Sequence, residues 1–180
     1  LGLPVFVKPA RGGSSIGVSK VTTWEEFPAA VDLALEDDEK ILVEPEIVGQ
    51  EVEIGVLHYA DGTLLASVPA LLAGIDDSDE GFYGFDTKYL DNVVTAEIPA
   101  PFAPELTEKL RDMAIRAFEA LNCEGLSRVD FFVTKDSVYI NEINTLPGFT
   151  PISMYPQVLA ASGVEYPALL EALIEQALAK

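Results

Sequence analysis

Two short segments, SRVDFF at 127–132 and VYINEIN at 138–144, carry the residue types that divalent-metal chemistry requires. Read as strands, they put Arg128 and Asp130 on one face of the first. Glu142 and Asn144 share one face of the second. Val129, Phe131 and Val133 turn the other way, as do Tyr139 and Ile143. Carboxylates and a guanidinium on a sheet face, left unpaired, would cost on the order of several kcal/mol. Mg²⁺ removes that cost, because it takes carboxylate and amide oxygens in octahedral geometry, completed by phosphate and water. Arg128 would then neutralise charge developing on a phosphoryl group. A solvated face with salt bridges is the plainer alternative. Register separates the two. Asp130 and Glu142 face each other only across an odd-numbered loop, such as Lys135-Asp136-Ser137, or across a bulge. A two-residue turn sets Asp130 against Asn141 instead.

A second candidate is KPARGGSSIGVSK, residues 8–20. A nucleotide P-loop places its lysine after the glycines and runs into a helix; here Lys8 comes first and no helix follows. A dinucleotide loop needs glycine at its third place, where Ser14 stands, counting from Gly12. What remains is a hairpin tip. Gly12 and Gly13 let backbone amides approach an anion, Ser14 and Ser15 add hydroxyl donors, and Lys8 adds a point charge from the strand. The expectation is a lid over phosphates, set against a plain flexible turn. Glu44 and Glu51 bracket PEIVGQ, where strand-end carboxylates can read an adenine amino group and ribose hydroxyls. Lys88 and Tyr89 end a polar, Gly-rich stretch, GIDDSDEGFYGFDTK at 74–88, expected to be a mobile surface loop that closes on an anion.

The elements that must position these residues follow from hydrophobic period and turn chemistry. Val5 to Val7 and Ile16 to Val21 read as strands on either side of the Gly/Ser loop. Thr23 with Glu26 reads as a capping box for a helix from Trp24 to about Glu36. A short strand ends at Glu44, residues 51–57 alternate, and Asp61-Gly62 turns a hairpin into Thr63–Pro69. Pro104 opens a helix with Leu106, Leu110, Ala114, Ala117 and Leu121 at spacings of three or four. Strands at about 127–133 and 138–144 follow, then a long loop containing Pro147-Gly148 and a helix from Pro167. Two lobes are expected, breaking near Gly49: 1–48 with the phosphate lid and adenine strand, 49–180 with the metal and substrate site.

Composition narrows the function. In 180 residues, 49% are hydrophobic, which supports a packed core. Eleven basic residues against 30 acidic ones, net charge −19, disfavour a nucleic-acid partner, because phosphate-backbone binding needs a basic face. Cys123 is alone, so no internal disulfide forms, and it reads as a small buried hydrophobe. His58 reads as structural. No apolar run reaches transmembrane length and no signal peptide opens the chain, so a cytoplasmic protein without a membrane partner is expected. The sequence starts at Leu1, directly before a candidate site, and an upstream part is expected.

Taken in order, VKPARGGSSIGVSKV, VEPEIVGQEVE, FYGFDTKYLD, GLSRVDFF and NEINTLPGFTPISMYP closely resemble the D-alanine–D-alanine ligases of the ATP-grasp superfamily. NEIN alone marks the superfamily; TLPGFTPISMYP and the FY…KY stretch mark the ligases. The resemblance implies an α+β ATP-grasp fold, two lobes of antiparallel sheet flanked by helices. It implies that ATP phosphorylates one D-alanine and that the amine of a second displaces the phosphate, giving a dipeptide for peptidoglycan. By that resemblance Lys8, Lys88 and the Gly12, Gly13, Ser14, Ser15 loop bind ATP phosphates, with Glu44 on adenine and Glu51 on ribose. Asp130, Glu142 and Asn144 hold two Mg²⁺ ions, for which Mn²⁺ can substitute. Arg128 and the Gly148 amide stabilise the tetrahedral intermediate. Ser153, beside Met154, binds the second D-alanine, and Ser14 with Tyr89 shuts the site. Tyr89 favours the dipeptide over D-alanyl-D-lactate. The full-length family members are commonly homodimers. The departures are Gly84, where many relatives have an acid, a shorter loop after Val133, and the absent N-terminal domain, so this chain alone is expected to be inactive. Another ATP-grasp carboxylate–amine ligase and a non-catalytic nucleotide-binding module are the alternatives.

Overall fold

The computed structural model describes residues 1–13, 15–73 and 95–179. Among these, nine strands and four helices form two compact units, one built on Leu1–Val48, the other on Gly49–Ala73 and Ala96–Lys180.

The first unit is a three-stranded antiparallel sheet backed by a helix. Strands β1 (Val5–Pro9), β2 (Ser19–Val21) and β3 (Ile41–Pro45) lie in the order β2-β1-β3. Val5, Val7 and Val21 are fully buried and pack with Ala30 and Ala34 of helix α1 (Phe27–Asp37). Alternation therefore leaves Phe6, Lys8, Lys20, Leu42 and Glu44 on the other face. Helix α1 starts at Phe27, later than the Trp24 expected from the capping box. Pro28 has no N–H for the Trp24 carbonyl, and its ring clashes with that group, so a helix cannot run through both. The Glu26 carboxylate still accepts the Thr22 and Thr23 backbone N–H groups, at 2.8 and 3.2 Å, which holds it below the usual carboxylate range. The Thr23 hydroxyl makes no cap. The second strand is also shorter than expected. Ser15 and Gly17 have φ of 58° and 71°, so residues 15–17 turn, and pairing begins only at Ser19.

The second unit centres on β4 (Gln50–His58), β8 (Leu126–Val133) and β9 (Val138–Asn144), antiparallel and adjacent. Strands β5 (Leu64–Ala66) and β6 (Ala70–Ala73) pair with the other edge of β4, and β7 (Thr95–Glu97) extends the sheet beyond β6. Helix α2 (Pro104–Ala120) covers one face, packing Leu110, Ala114 and Phe118 on Val52, Ile54, Val129 and Phe131. Leu121, expected in that stripe, is 59% exposed, because the helix has already ended in a turn. Asn122 takes φ 50°, and the Asn122 and Cys123 N–H groups return to Glu119 and Phe118 carbonyls. Cys123 packs against this core, and its thiol is pushed up by burial.

Helices α3 (Met154–Ala161) and α4 (Tyr166–Leu178) cover one end of the opposite face. Helix α3 stands where a loop was expected. Pro156 falls in its first turn, where no N–H is needed, and Gly163 at φ 91° closes it, with Val164 N–H on the Leu159 carbonyl. Gly55 makes this packing feasible. A Cβ there would lie 2.5 Å from Leu159 Cδ2 and 3.0 Å from the Tyr155 ring.

Candidate functional site

The metal-type cluster lies on the α3 side of the second sheet. Asp130 pairs with Glu142 on β9 and with Glu53 on β4, so three carboxylates form one row across three strands. The next row is Gly55, Arg128, Asn144. Facing partners in an antiparallel ladder share a sheet face, so all five side chains emerge together.

A bulge produces this register. From the turn outward, Val133 pairs with Val138, Phe132 with Tyr139 and Phe131 with Ile140. The connection Thr134–Ser137 holds an even number of residues, so uninterrupted pairing would bring Asn141 to Asp130. Instead the register shifts between Asp130 and Phe131, and Glu142 takes that place. The bulge, not an odd loop, is the device. It also corrects the expected place of Tyr139. Opposite Phe132, Tyr139 lies on the same face as Asp130, not on the face of Val129.

Arg128 is the hub. Its Nε and Nη2 donate to the two Asp130 oxygens at 2.7 Å each, a bidentate pair, and Nε lies 3.2 Å from Glu53 Oε2. Asn144 Nδ2 donates to Asp130 Oδ2 at 3.0 Å and reaches Glu142 Oε1 at 3.4 Å. Burial grades across the row: the Glu53 side chain is 4% exposed, Asp130 14%, and Glu142 is on the surface. A ligand would therefore approach from the Glu142 and Asn144 side. Among the described residues no three His, Cys, Asp or Glu side chains converge as a metal-binding group. Asp130, Glu142 and the Asn144 amide nevertheless fit a hard cation, since all can offer oxygen and ligand oxygens can fill the remaining positions.

The loop leaving β9 carries the expected substrate residues. Ser153 is the residue before α3, and its Oγ bonds to the Thr150 N–H and hydroxyl at 3.1 and 2.8 Å. A Cβ on Gly148 would meet that Oγ at 3.1 Å, so Gly148 and Ser153 are neighbours. Met154, half-buried, opens the helix.

In the first unit, Lys8 and Glu44 share the face left open by α1 and form an ion pair at 2.7 Å. Gly12 and Gly13 are exposed, and a Cβ on Gly13 would meet nothing within 4 Å. The sterically constrained glycine is Gly17, where a Cβ would lie 2.6 Å from Asp37 Oδ2 and 2.9 Å from Pro9 Cγ. The loop is fixed at its root by an anchor that sequence reasoning missed. Asp38, buried at the end of α1, accepts Arg11 Nη2 at 2.6 Å, Nε at 3.0 Å, Arg11 N–H at 2.9 Å and Lys40 N–H at 3.0 Å. Arg11 first, then the Lys40 amide, hold this carboxyl well below its usual range. Glu51 lies on the same strand face as Glu53, opposite Phe132. Ser14, Gly84, Lys88 and Tyr89, with the stretch 74–94, lie outside the described residues.

Residues 1–175 match the family described as D-ala D-ala ligase C-terminus. The chain belongs to that family. It is 67% identical to the D-alanine–D-alanine ligase of Corynebacterium efficiens over 99% of its own length. It spans about half the curated relatives it matches, 49% in this case. The structure superposes on a VanG D-Ala:D-Ser ligase from Enterococcus faecalis with a TM-score of 0.84 at 34% identity. That match covers 98% of this chain and 50% of that one. A D-alanine–D-alanine ligase from Bacillus anthracis complexed with ATP gives 0.79 at 26% identity, over 98% and 53%. These neighbours carry the ATP-grasp fold expected for the chain, and the antiparallel sheets with flanking helices agree.

Proposed function

We propose that this chain is the nucleotide- and metal-binding part of a D-alanine–D-alanine ligase. The bulged register that sets Asp130 against Glu142, with Arg128 and Asn144 beside them, carries the reading. In the proposed reaction ATP phosphorylates the carboxylate of one D-alanine, releasing ADP, and the amine of a second attacks the acyl phosphate carbonyl and displaces inorganic phosphate to give the dipeptide used in peptidoglycan. Asp130, Glu142 and Asn144 would hold two Mg²⁺ ions, with Mn²⁺ as a substitute. The bound cation supplies charge neutralisation that lets two anionic reactants meet.

The chain's own side chains do the positioning. Lys8 offers its ammonium to phosphate oxygens, exchanging Glu44 for a stronger anion, while Gly12, Gly13, Ser14 and Ser15 offer amides and hydroxyls. Glu44 and the backbone after it read adenine, Glu51 holds ribose, and Lys88 adds a second cation. Arg128 and the Gly148 N–H stabilise the oxyanion of the tetrahedral intermediate. Ser153, with Met154 beside it, receives the carboxylate of the second D-alanine. Ser14 and Tyr89 complete the hydrogen bonds that shut the site. We further propose cytoplasmic location and a homodimer for the complete protein. Among the described residues no helix is long and apolar enough to cross a membrane.

The test follows ADP release by the complete protein that carries this chain. Release should require D-alanine, yield D-alanyl-D-alanine, and disappear in Asp130→Asn. ADP release indifferent to D-alanine would overturn the reading. The 180-residue chain alone should form no dipeptide, since it spans half of its relatives. A second reading, ligation of D-alanine to another amino acid, is favoured by the likeness to a D-Ala:D-Ser ligase. A panel of D-amino acids in the same assay decides between them.

A further inference from the structure

We infer that Glu53 is the positioning residue for Arg128, holding the guanidinium in place when Asp130 turns to a cation. The inference rests on the metal and oxyanion roles proposed for Asp130 and Arg128. In the structure Asp130 spends both oxygens on Arg128, at 2.7 Å each. A divalent cation would bind to those same oxygens. A cation sharing this carboxylate draws charge from its oxygens, so cation binding weakens the strongest bonds that fix Arg128.

Glu53 is placed to answer that loss. It sits directly across β4–β8 from Asp130, on the side away from Glu142, and its Oε2 lies 3.2 Å from Arg128 Nε. Its side chain is 4% exposed, so its charge is little screened and its rotamer is confined. Although Glu53, Asp130 and Glu142 stand in one row, they do not converge as a three-carboxylate metal group. The row therefore divides its labour: Glu142 faces the ligand side, Glu53 faces the guanidinium, and Asp130 passes from one to the other. Next to Glu53 on the same face, Leu159 and Tyr155 fill the space over Gly55, the residue opposite Arg128. The Arg128 side chain itself is 16% exposed.

The test needs no ligand. In this chain, labelled with ¹⁵N, the Arg128 Nε–H resonance and its exchange with water are followed by NMR. Asp130→Asn stands in for an Asp130 withdrawn from Arg128. With Glu53 intact, the Asp130→Asn resonance should stay resolved, with exchange about tenfold or more slower than in the Glu53→Gln/Asp130→Asn double variant, the protection one charge-assisted hydrogen bond supplies. Glu53→Asp in the Asp130→Asn background should restore part of that protection. Loss of the resonance in Asp130→Asn alone, or its equal protection in the double variant, overturns the inference. Amide spectra of each variant establish that it is folded; should the double variant unfold, Glu53→Gln alone with added Mg²⁺ and ATP replaces it. There the resonance should exchange faster on addition of Mg²⁺–ATP than in the unsubstituted chain, and equal rates refute the inference. Failure of Mg²⁺–ATP to bind the unsubstituted chain would count against the proposed function, while the ligand-free comparison still decides the role of Glu53.

Discussion

Replacing Gly55 by alanine inserts one methyl group at the contact between the second sheet and α3. Its Cβ would lie 2.5 Å from Leu159 Cδ2 and 3.0 and 3.1 Å from two Tyr155 ring carbons. Ordinary contact begins near 3.5 Å, so both neighbours must move. Neither is free to do so cheaply. Leu159 and Tyr155 are fully buried, and the Tyr155 hydroxyl is tied to the Val56 carbonyl at 3.1 Å. Overpacking of this kind costs about 1–3 kcal/mol. Alanine also restricts the unfolded chain, which returns about 0.4–1 kcal/mol, since Gly55 sits in an ordinary strand conformation. The net expectation is a loss of about 1.5 kcal/mol, or about 3–6 °C in Tm for a chain of this length. Thermal and urea unfolding measure it, with Gly13→Ala as the control, because a Cβ there meets nothing. Equal Tm values for Gly55→Ala and the unsubstituted chain would refute the packing argument. The consequence reaches the site, since α3 begins immediately after Ser153.

Tyr155→Phe removes the donor to the Val56 carbonyl and should lower stability by about 1–1.5 kcal/mol; an unchanged urea midpoint would contradict the bond. Asp38 has a folded pKa held down by Arg11 and the Lys40 amide, so its contribution is complete well above the unfolded value of about 3.9 and is lost progressively as pH falls from there to the lower folded value. The stability gap between the native chain and Asp38→Asn should accordingly be equal at pH 7 and pH 5; narrowing within that interval would show another group at work. Gly17→Ala should destabilise the 8–20 loop through both its φ of 71° and the contact with Asp37, seen as faster amide exchange at Ile16 and Val18. Asn144→Ala should weaken calorimetric ATP binding about tenfold in the presence of Mg²⁺ and leave Mg²⁺-free binding unchanged, whereas equal losses in both would remove Asn144 from the metal set.

Much of the site was legible because strand periodicity assigns faces without knowing what lies beyond them. Arg128 with Asp130, and Glu142 with Asn144, followed from alternation alone, and the parity of 130 and 142 demanded a device to bring them together. Which device it would be was not legible. A bulge is set by cross-strand bonding and twist, so Asn141 gave no local sign, and Tyr139 was placed on the wrong face in consequence. Helix α3 escaped for a local reason. A proline three residues into MYPQ reads as a breaker unless the helix start is already fixed, and Ser153 and Gly163 were its overlooked boundaries.

By itself, the sequence determined which polar side chains share faces on the two strands of the candidate site, the helix rich in apolar positions after Pro104, and the family. These depend on the order of side chains along one segment, where period and turn chemistry act locally. Only the tertiary structure decided that Asp130 meets Glu142 through a bulge, that buried Glu53 shares Arg128, that Asp38 ties down the loop through Arg11, and that Gly55 admits α3. Each of these joins residues far apart in the chain, and their partners are selected by packing and by the cost of leaving a buried charge unmatched.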